Sequence, residues 1–328
     1  MTNHLKLGAG AVLLTLGLVS CPGGQPATIT PTKGSVNGFA INTDKSANLN
    51  VSALDNSNAV LRSGKLSDTS VTGATLLSWK VAQQAVTPVT AAASVCGDIT
   101  SQSGALTSGI LLDASGSMAS TDPTKQRAIA AKAFVDRLQS SDVAAVTSFS
   151  SGKPITPPYT KLTVHQGFTD DKAALKTAVD VAAVASGVTP LWKSTTELVD
   201  FVKKQGGSNK VGFILTDGNA DDSSLLQATI DAAKAANIRL FMLGLGTPGS
   251  LDVADMQKAA TDTGGLYAVT SNAADLNLVF NGAFNASQGA GCVKLVFTPA
   301  PVAGNKITGT LNFSANGIAL STPFTVQY

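Results

Sequence analysis

Residues 109–118 read Gly-Ile-Leu-Leu-Asp-Ala-Ser-Gly-Ser-Met, an apolar run that ends in an acid and is followed by two hydroxyls at alternate positions. The acid is Asp113, and the hydroxyls belong to Ser115 and Ser117. A tight turn after a buried strand that offers carboxylate and hydroxyl oxygens suits a hard divalent cation. Because the chain is rich in Ser and Ala, this pattern alone has little specificity.

Two later segments add specificity to the first. Residues 187–191 read Gly-Val-Thr-Pro-Leu, and residues 213–218 read Phe-Ile-Leu-Thr-Asp-Gly, a second apolar run that ends in an acid. Each segment taken singly is also compatible with an ordinary turn or helix cap. In this order, however, the three resemble the von Willebrand factor A (VWA) domain and its metal-ion-dependent adhesion site (MIDAS). The resemblance implies a complete set of metal ligands, namely Asp113, Ser115, Ser117, Thr189 and Asp217.

The resemblance extends over residues 104–286. Asp122, Pro123 and Arg127 look like the family's first helix, and the Thr-Gly-Gly-Leu stretch at 263–266 looks like the entry to its last strand. The residue pattern agrees, because predicted strands and helices alternate through this segment. Such alternation predicts an α/β fold with a doubly wound, mostly parallel sheet of the Rossmann-like kind. In these sheets, ligands collect at the carboxyl ends of the strands.

Five segments are expected along the chain. Short alternating runs separated by turn residues predict β-strands on both sides of the VWA-like domain, and these flanks are expected to form one β-sandwich with the domain inserted. Pro and Gly residues before the first flank predict a tether without regular structure. The segments are a lipoprotein signal peptide (1–20), a flexible tether (21–34), a β-rich N-terminal flank (35–97), the VWA-like domain (104–286) and a β-rich C-terminal flank (292–328).

The first twenty residues have the features of an export signal. Lys6 provides a positive start, residues 7–19 are apolar but too few to span a bilayer comfortably, and Leu-Val-Ser-Cys at 18–21 resembles a bacterial lipobox. The resemblance implies cleavage before Cys21 and a lipid on that residue. The alternative is a plain secretory signal. We expect an exported protein that is lipid-anchored to the cell membrane or outer membrane and faces the periplasm or the exterior.

The chain has three cysteines. If Cys21 carries lipid, Cys96 and Cys292 remain as a pair that lies just outside the VWA-like segment, one on each side. In an oxidising compartment the two could form a disulfide, which requires α-carbons within about 7 Å. The alternative is two unrelated buried thiols.

Several functions have no support in the sequence. The net charge is +2 and no basic run occurs, so nucleic-acid binding is not expected. No nucleophile elbow, zinc-protease motif or phosphate loop is present, and His165 is predicted to be a solvated residue in a loop. Residues 217–222 do not match a calcium loop, and Asp221 and Asp222 are instead predicted to cap the following helix. Trp192 is predicted to pack in the core.

The function that the resemblance implies is binding. A divalent cation, with Mg²⁺ expected and Mn²⁺ or Ca²⁺ as alternatives, would be completed by an Asp or Glu carboxylate of a protein partner. The first alternative is a structural or assembly lipoprotein of the cell envelope, in which the metal mainly stabilises the domain. A metal-dependent hydrolase is the second alternative, and for it the sequence offers no general base.

Overall fold

The computed structural model describes residues 29–78, 86–150, 152–247 and 249–328. The strands in chain order are β1 (Lys33–Ile41), β2 (Ala47–Leu54), β3 (Leu66–Ser78), β4 (Thr87–Pro88), β5 (Thr90–Thr100), β6 (Leu106–Asp113), β7 (Val143–Phe149), β8 (Thr163–Thr169), β9 (Asn209–Thr216), β10 (Ile238–Leu245), β11 (Leu266–Thr270), β12 (Ala290–Thr298), β13 (Asn305–Ala315) and β14 (Ile318–Gln327). The helices are α1 (Met118–Thr121), α2 (Gln126–Arg137), α3 (Lys172–Ala182), α4 (Leu191–Val202), α5 (Leu226–Ala235), α6 (Val253–Asp262) and α7 (Leu276–Gln288).

A six-stranded sheet forms the centre of the VWA-like segment. Its strand order is β11-β10-β9-β6-β7-β8, and only β8 runs antiparallel to its neighbour. Helices α2, α3 and α7 pack together, as do α4, α5 and α6. Alternation along β6 explains both layers, because Ile110 and Leu112 belong to the core under α2 and α7 while Leu111 belongs to the core under α4. The predicted α/β fold is confirmed.

The two flanks build one β-sandwich. Its sheets have the orders β1-β2-β12-β5 and β14-β13-β3-β4, so each sheet takes strands from both sides of the inserted domain. Leu49 and Val51 on the first sheet share a core with Leu311, Phe313 and other residues of the second. The alternating burial along β14 is the period-2 pattern that the sequence shows.

The inserted domain leaves and rejoins the sandwich at one place. Strands β5 and β12 are antiparallel neighbours, and Thr100 is paired with Ala290. Cys96 and Cys292 form a disulfide across these strands with their α-carbons 4.9 Å apart, which confirms the predicted pair. A second contact joins the two units, because the rings of Phe39 on β1 and Tyr267 on β11 meet edge-on at 5.6 Å.

The structure differs from the sequence-based prediction mainly at boundaries. Strand β1 begins at Lys33, inside the predicted tether, while β5 runs past residue 97 and α7 runs past residue 286. Strand β8 was not expected, because its half-buried polar residues lack the apolar pattern of a core strand. It lies at the edge of the sheet, where one side needs no partner.

The signal peptide and Cys21 lie outside the described residues. Within the part of the chain that the structure describes, no helix has the length and apolar character needed to cross a membrane.

Candidate metal centre

Two carboxylates meet at the carboxyl edge of the central sheet. Asp113 is the last residue of β6, and Asp217 follows the last residue of β9. These strands are parallel neighbours, with Leu112 paired to Leu215, so both chains end at the same edge. The helices after β6 and β9 pack on opposite faces of the sheet, which leaves a crevice between the strand ends. Asp113 is completely buried and Asp217 is 3% exposed.

The turn after β6 brings its two serines toward Asp217. The backbone N–H of Ser115 donates to Asp113 Oδ1 at 2.7 Å, which fixes the turn. The hydroxyls of Ser115 and Ser117 are 3.0 Å apart, and the Ser117 hydroxyl donates to Asp217 Oδ1 at 2.7 Å. A continuous chain of hydrogen bonds therefore links four of the five predicted ligands. Ser117 is exposed, so this chain reaches the surface.

Thr189 reaches the same place from the loop before α4. This loop is fixed to the serine turn by two backbone hydrogen bonds, from Ser186 N–H to Ala114 O at 2.5 Å and from Gly116 N–H to Gly187 O at 3.0 Å. The absence of a side chain at Gly218 leaves room between the ligands. A Cβ there would lie 3.7 Å from Thr189 Oγ1 and 4.0 Å from Ser117 Oγ. The structure thus groups all five predicted ligands.

Two further threonines support the carboxylates and were not identified from the sequence. Thr216 donates to Asp113 Oδ2 at 2.7 Å, and Thr121 donates to Asp217 Oδ2. Each aspartate therefore has one oxygen held by a threonine while the other faces the serine turn. Thr216 directly precedes Asp217, but nothing in the sequence indicates that its hydroxyl points to the acid of the neighbouring strand.

Asp221 and Asp222 act on a different helix from the one predicted. Asp221 Oδ2 accepts from the backbone N–H of Thr189 at 2.7 Å, and Asp222 accepts from the N–H groups of Trp192 and Lys193 at 3.0 and 2.8 Å. They thus cap the start of α4 rather than the following helix. The reason is local, since Pro190 stands at the cap position of α4 and has no side-chain acceptor.

A buried ion pair lies behind the two ligand loops. Arg127 and Asp122 are 1% exposed each, and Arg127 Nη1 donates to Asp122 Oδ2 at 2.6 Å. Arg127 Nη2 donates to the carbonyl oxygen of Ala183 at 2.8 Å, at the end of α3. Asp122 follows the turn that holds Ser117, and Ala183 begins the loop that leads to Thr189. One side chain therefore connects the roots of both ligand loops.

The electrostatics of the site favour a cation. Burial raises the pKa of Asp113 to about 6, hydrogen bonds from Ser115 and Thr216 oppose this effect, and the nearby charge of Asp217 adds to it. No Lys, Arg or His in the described chain forms an ion pair with either carboxylate. Two buried carboxylates without a cation, beside three hydroxyls, are a donor set that fits a hard divalent ion. In the same described residues no group of three or more His, Cys, Asp or Glu forms a metal-binding cluster.

His165 and Trp192 lie away from these ligands. His165 is on β8 rather than in a loop, and its Nε2 is 2.7 Å from the hydroxyl of Ser148 on β7, so the prediction of a solvated loop residue is wrong. Burial, and secondarily the charge of Lys153, lowers the pKa of His165. Trp192 is fully buried at the start of α4, as predicted.

Comparison with known proteins identifies the family. The family model of the von Willebrand factor type A domain matches residues 109–281, which include all five candidate ligands. No curated protein sequence matches the chain.

Three solved structures share the general fold. Proximal thread matrix protein 1 from the mussel byssus is 18% identical with a TM-score of 0.48, and the match covers 64% of this chain and 50% of that protein. A structure of the same mussel protein with a zinc-occupied MIDAS motif is 18% identical with a TM-score of 0.46, and covers 62% and 49%. A von Willebrand factor type A protein from Catenulispora acidiphila is 13% identical with a TM-score of 0.46, and covers 92% and 75%. The chain thus spans about half the length of the mussel protein.

The family is one of protein-interaction and adhesion modules with metal binding of the MIDAS type, and its members are in general not enzymes. The matched residues span more than half of the 328-residue chain and coincide with the central sheet and its helices. This chain therefore belongs to the von Willebrand factor type A domain family.

Proposed function

We propose that Asp113, Ser115, Ser117, Thr189 and Asp217 bind one divalent cation, and that the chain uses it to bind an acidic group of a protein partner. The observation that carries this proposal is the pair of buried carboxylates that have no cation among the described residues and lie next to three hydroxyls. Mg²⁺ is the expected ion because it prefers hard oxygen ligands, and Mn²⁺ or Ca²⁺ are alternatives.

The neutral hydroxyls explain how such a site recognises an acid. When bound, the cation supplies positive charge that ligation by hydroxyls alone leaves incompletely neutralised. Thr216 and Thr121 hold one oxygen of each aspartate, which keeps both carboxylates behind the serine turn. Ser117 is exposed, and its neighbourhood is open to a carboxylate from an Asp or Glu side chain of a partner. The chain is proposed to act as a binding module and to have no nucleic-acid partner.

The proposed location follows from the N-terminal sequence. Residues 18–21 resemble a lipobox, and lipid on Cys21 would anchor an exported chain to the cell membrane or outer membrane. The disulfide between Cys96 and Cys292 supports an oxidising compartment. Incorporation of a radioactive lipid label into the wild type but not into Cys21→Ser is the expected result. Equal labelling of both would exclude this anchor.

The binding function is tested by affinity capture from the native envelope with Mg²⁺ and with EDTA. The wild type should capture its partner only with Mg²⁺, and Asp113→Ala should capture none because a carboxylate of the site is lost. Asp231→Ala is the matched control, since Asp231 is an exposed acid on α5 that bonds only Gln227. Capture that persists in EDTA or in Asp113→Ala would contradict the proposal.

A structural lipoprotein is the second candidate. The observation that favours it is that a cation between two buried carboxylates would stabilise the folded domain even without a partner. In this case EDTA would lower the unfolding temperature and leave every interaction of the protein in the envelope unchanged. The capture experiment therefore separates the two functions.

A further inference from the structure

A cavity of 670 Å³ lies at the base of the VWA domain, which is the amino end of the central sheet and opposite the metal centre. Helices α2 and α7 each follow a strand and run back from the metal centre, so their last turns reach the base. Arg137 ends α2, and Phe284 and Gln288 lie in the last turns of α7. The turn after β2, at residues 57–60, forms the opposite wall.

The cavity collects cations that lack an anion. Arg62, Arg137 and Lys172 line it, and none of the three forms an ion pair with a carboxylate of the described chain. Asp136 also lines the cavity, but its carboxylate pairs with Lys176. The cavity therefore has an excess of positive charge.

The contacts of these cations are with neutral groups. Arg137 lies 4.3 Å from the ring centroid of Phe284 and donates to Asn281 and Asn285. Burial lowers its pKa to about 10, so the guanidinium keeps its charge at neutral pH. Arg62 donates to Gln288 Oε1 at 2.7 Å.

A buried amide adds an unused donor. Gln288 is 6% exposed and lines the cavity, and its Nε2 has no hydrogen-bond partner among the described residues. A buried donor without a partner costs free energy, which a ligand with acceptor oxygens would relieve. Ile29, Val60, Leu138 and Phe284 supply an apolar wall beside these donors.

We propose that this cavity binds a phosphate group attached to an apolar body. Guanidinium and ammonium groups bind phosphate oxygens through charge-assisted hydrogen bonds, and the apolar wall would pack against the rest of the ligand. The phosphate source is the headgroup of a membrane lipid. Ile29 lines the cavity and follows Cys21 by eight residues, which extended chain spans with at most about 28 Å. This assignment of the source, unlike the phosphate site itself, rests on the lipid anchor of the proposed function.

The phosphate site is tested on the full chain in a non-ionic detergent, with glycerol 1-phosphate as the probe and calorimetry as the measurement. Arg62→Gln/Lys172→Gln removes two cations that are exposed or half-exposed and keeps Arg137, which holds α7. The affinity should fall about tenfold or more, because two charge-assisted bonds are lost. Lys176→Gln, which removes a cation outside the cavity, should bind like the wild type. Absence of binding to the wild type, or equal binding to the double variant, would overturn the proposal.

The source is tested with the same proteins in vesicles of phosphatidylcholine with and without phosphatidylglycerol. For the lipid headgroup, phosphatidylglycerol should slow amide hydrogen exchange at residues 281–288 in the wild type and not in the double variant. Slower exchange with glycerol phosphate or inorganic phosphate, but not with phosphatidylglycerol, would overturn the membrane source and assign a soluble phosphate. Because the calorimetric test needs no lipid on Cys21, failure of the anchor and failure of the cavity remain distinguishable.

Discussion

The two ends of the central sheet present opposite charges. At the carboxyl end, Asp113 and Asp217 are buried without a cation, and at the amino end Arg62 and Arg137 line a cavity without an anion. The carboxyl end is built from loops that cross-link through side-chain hydroxyls, whereas the amino end is built from helix ends and the sandwich. A single fold thus offers two charged sites whose occupants would be far apart and of opposite sign.

Removal of the disulfide should have the largest effect on stability and should leave the metal centre unchanged. The Cys96→Ser/Cys292→Ser variant opens a loop with a sequence separation of 196, for which chain entropy predicts a loss of about 5 kcal/mol, less any strain. The measurement is denaturant unfolding beside Mg²⁺ titration. A change in Mg²⁺ affinity would show that the two ends are coupled, against the comparison drawn above.

Loss of Arg127 should affect both stability and the metal centre. Arg127→Met leaves Asp122 as a buried charge without a partner, which costs about 3–5 kcal/mol. Arg127→Lys can keep the pair but cannot also reach Ala183 O, so it should fold and bind Mg²⁺ more weakly. Stability in EDTA and Mg²⁺ affinity are measured separately. If Arg127→Lys binds Mg²⁺ like the wild type, the side chain supports the fold alone.

Mg²⁺ should stabilise the wild type by about 2.7 kcal/mol at a concentration of about 100 times Kd. Asp113→Ala and Asp217→Ala should lose this gain, because each removes a carboxylate of the site. Thr189→Ala should keep part of it, since it removes one neutral ligand. Thermal unfolding with and without Mg²⁺ measures the effect, and a full gain in both aspartate variants would show that the cation binds elsewhere.

Glu197 provides the contrasting case of a buried charge that has its partners, and its effect should be the smallest. Burial acts to raise its pKa, but hydrogen bonds from Thr160, Lys161 and Leu162 outweigh it and lower the pKa below the ordinary 4.5. Since the folded pKa is depressed, this stabilisation is present above pH 4.5 and is lost as the pH falls below it. The stability difference between the wild type and Glu197→Gln should shrink between pH 6 and pH 3. A constant difference over this range would argue against the shift.

The sequence predicted what depends on strand order and missed what depends on side-chain direction. Asp113 and Asp217 follow apolar strands, and parallel strands place them at one edge. Thr121 and Thr216 contact the carboxylates through bonds that span about a hundred positions, which periodicity cannot reveal. The base cavity was unpredictable for the same reason, because it joins Arg62 to Gln288 across 226 positions.

The closed loop at the base also determines what happens when the backbone is cut. Every peptide bond between Cys96 and Cys292 lies inside the covalent ring made by the disulfide, and this ring contains all of the VWA domain. A protease that cuts an exposed loop near the metal centre would therefore produce two fragments that stay attached to each other. The nicked binding domain would remain on the surface that carries it until a reductant opened the ring.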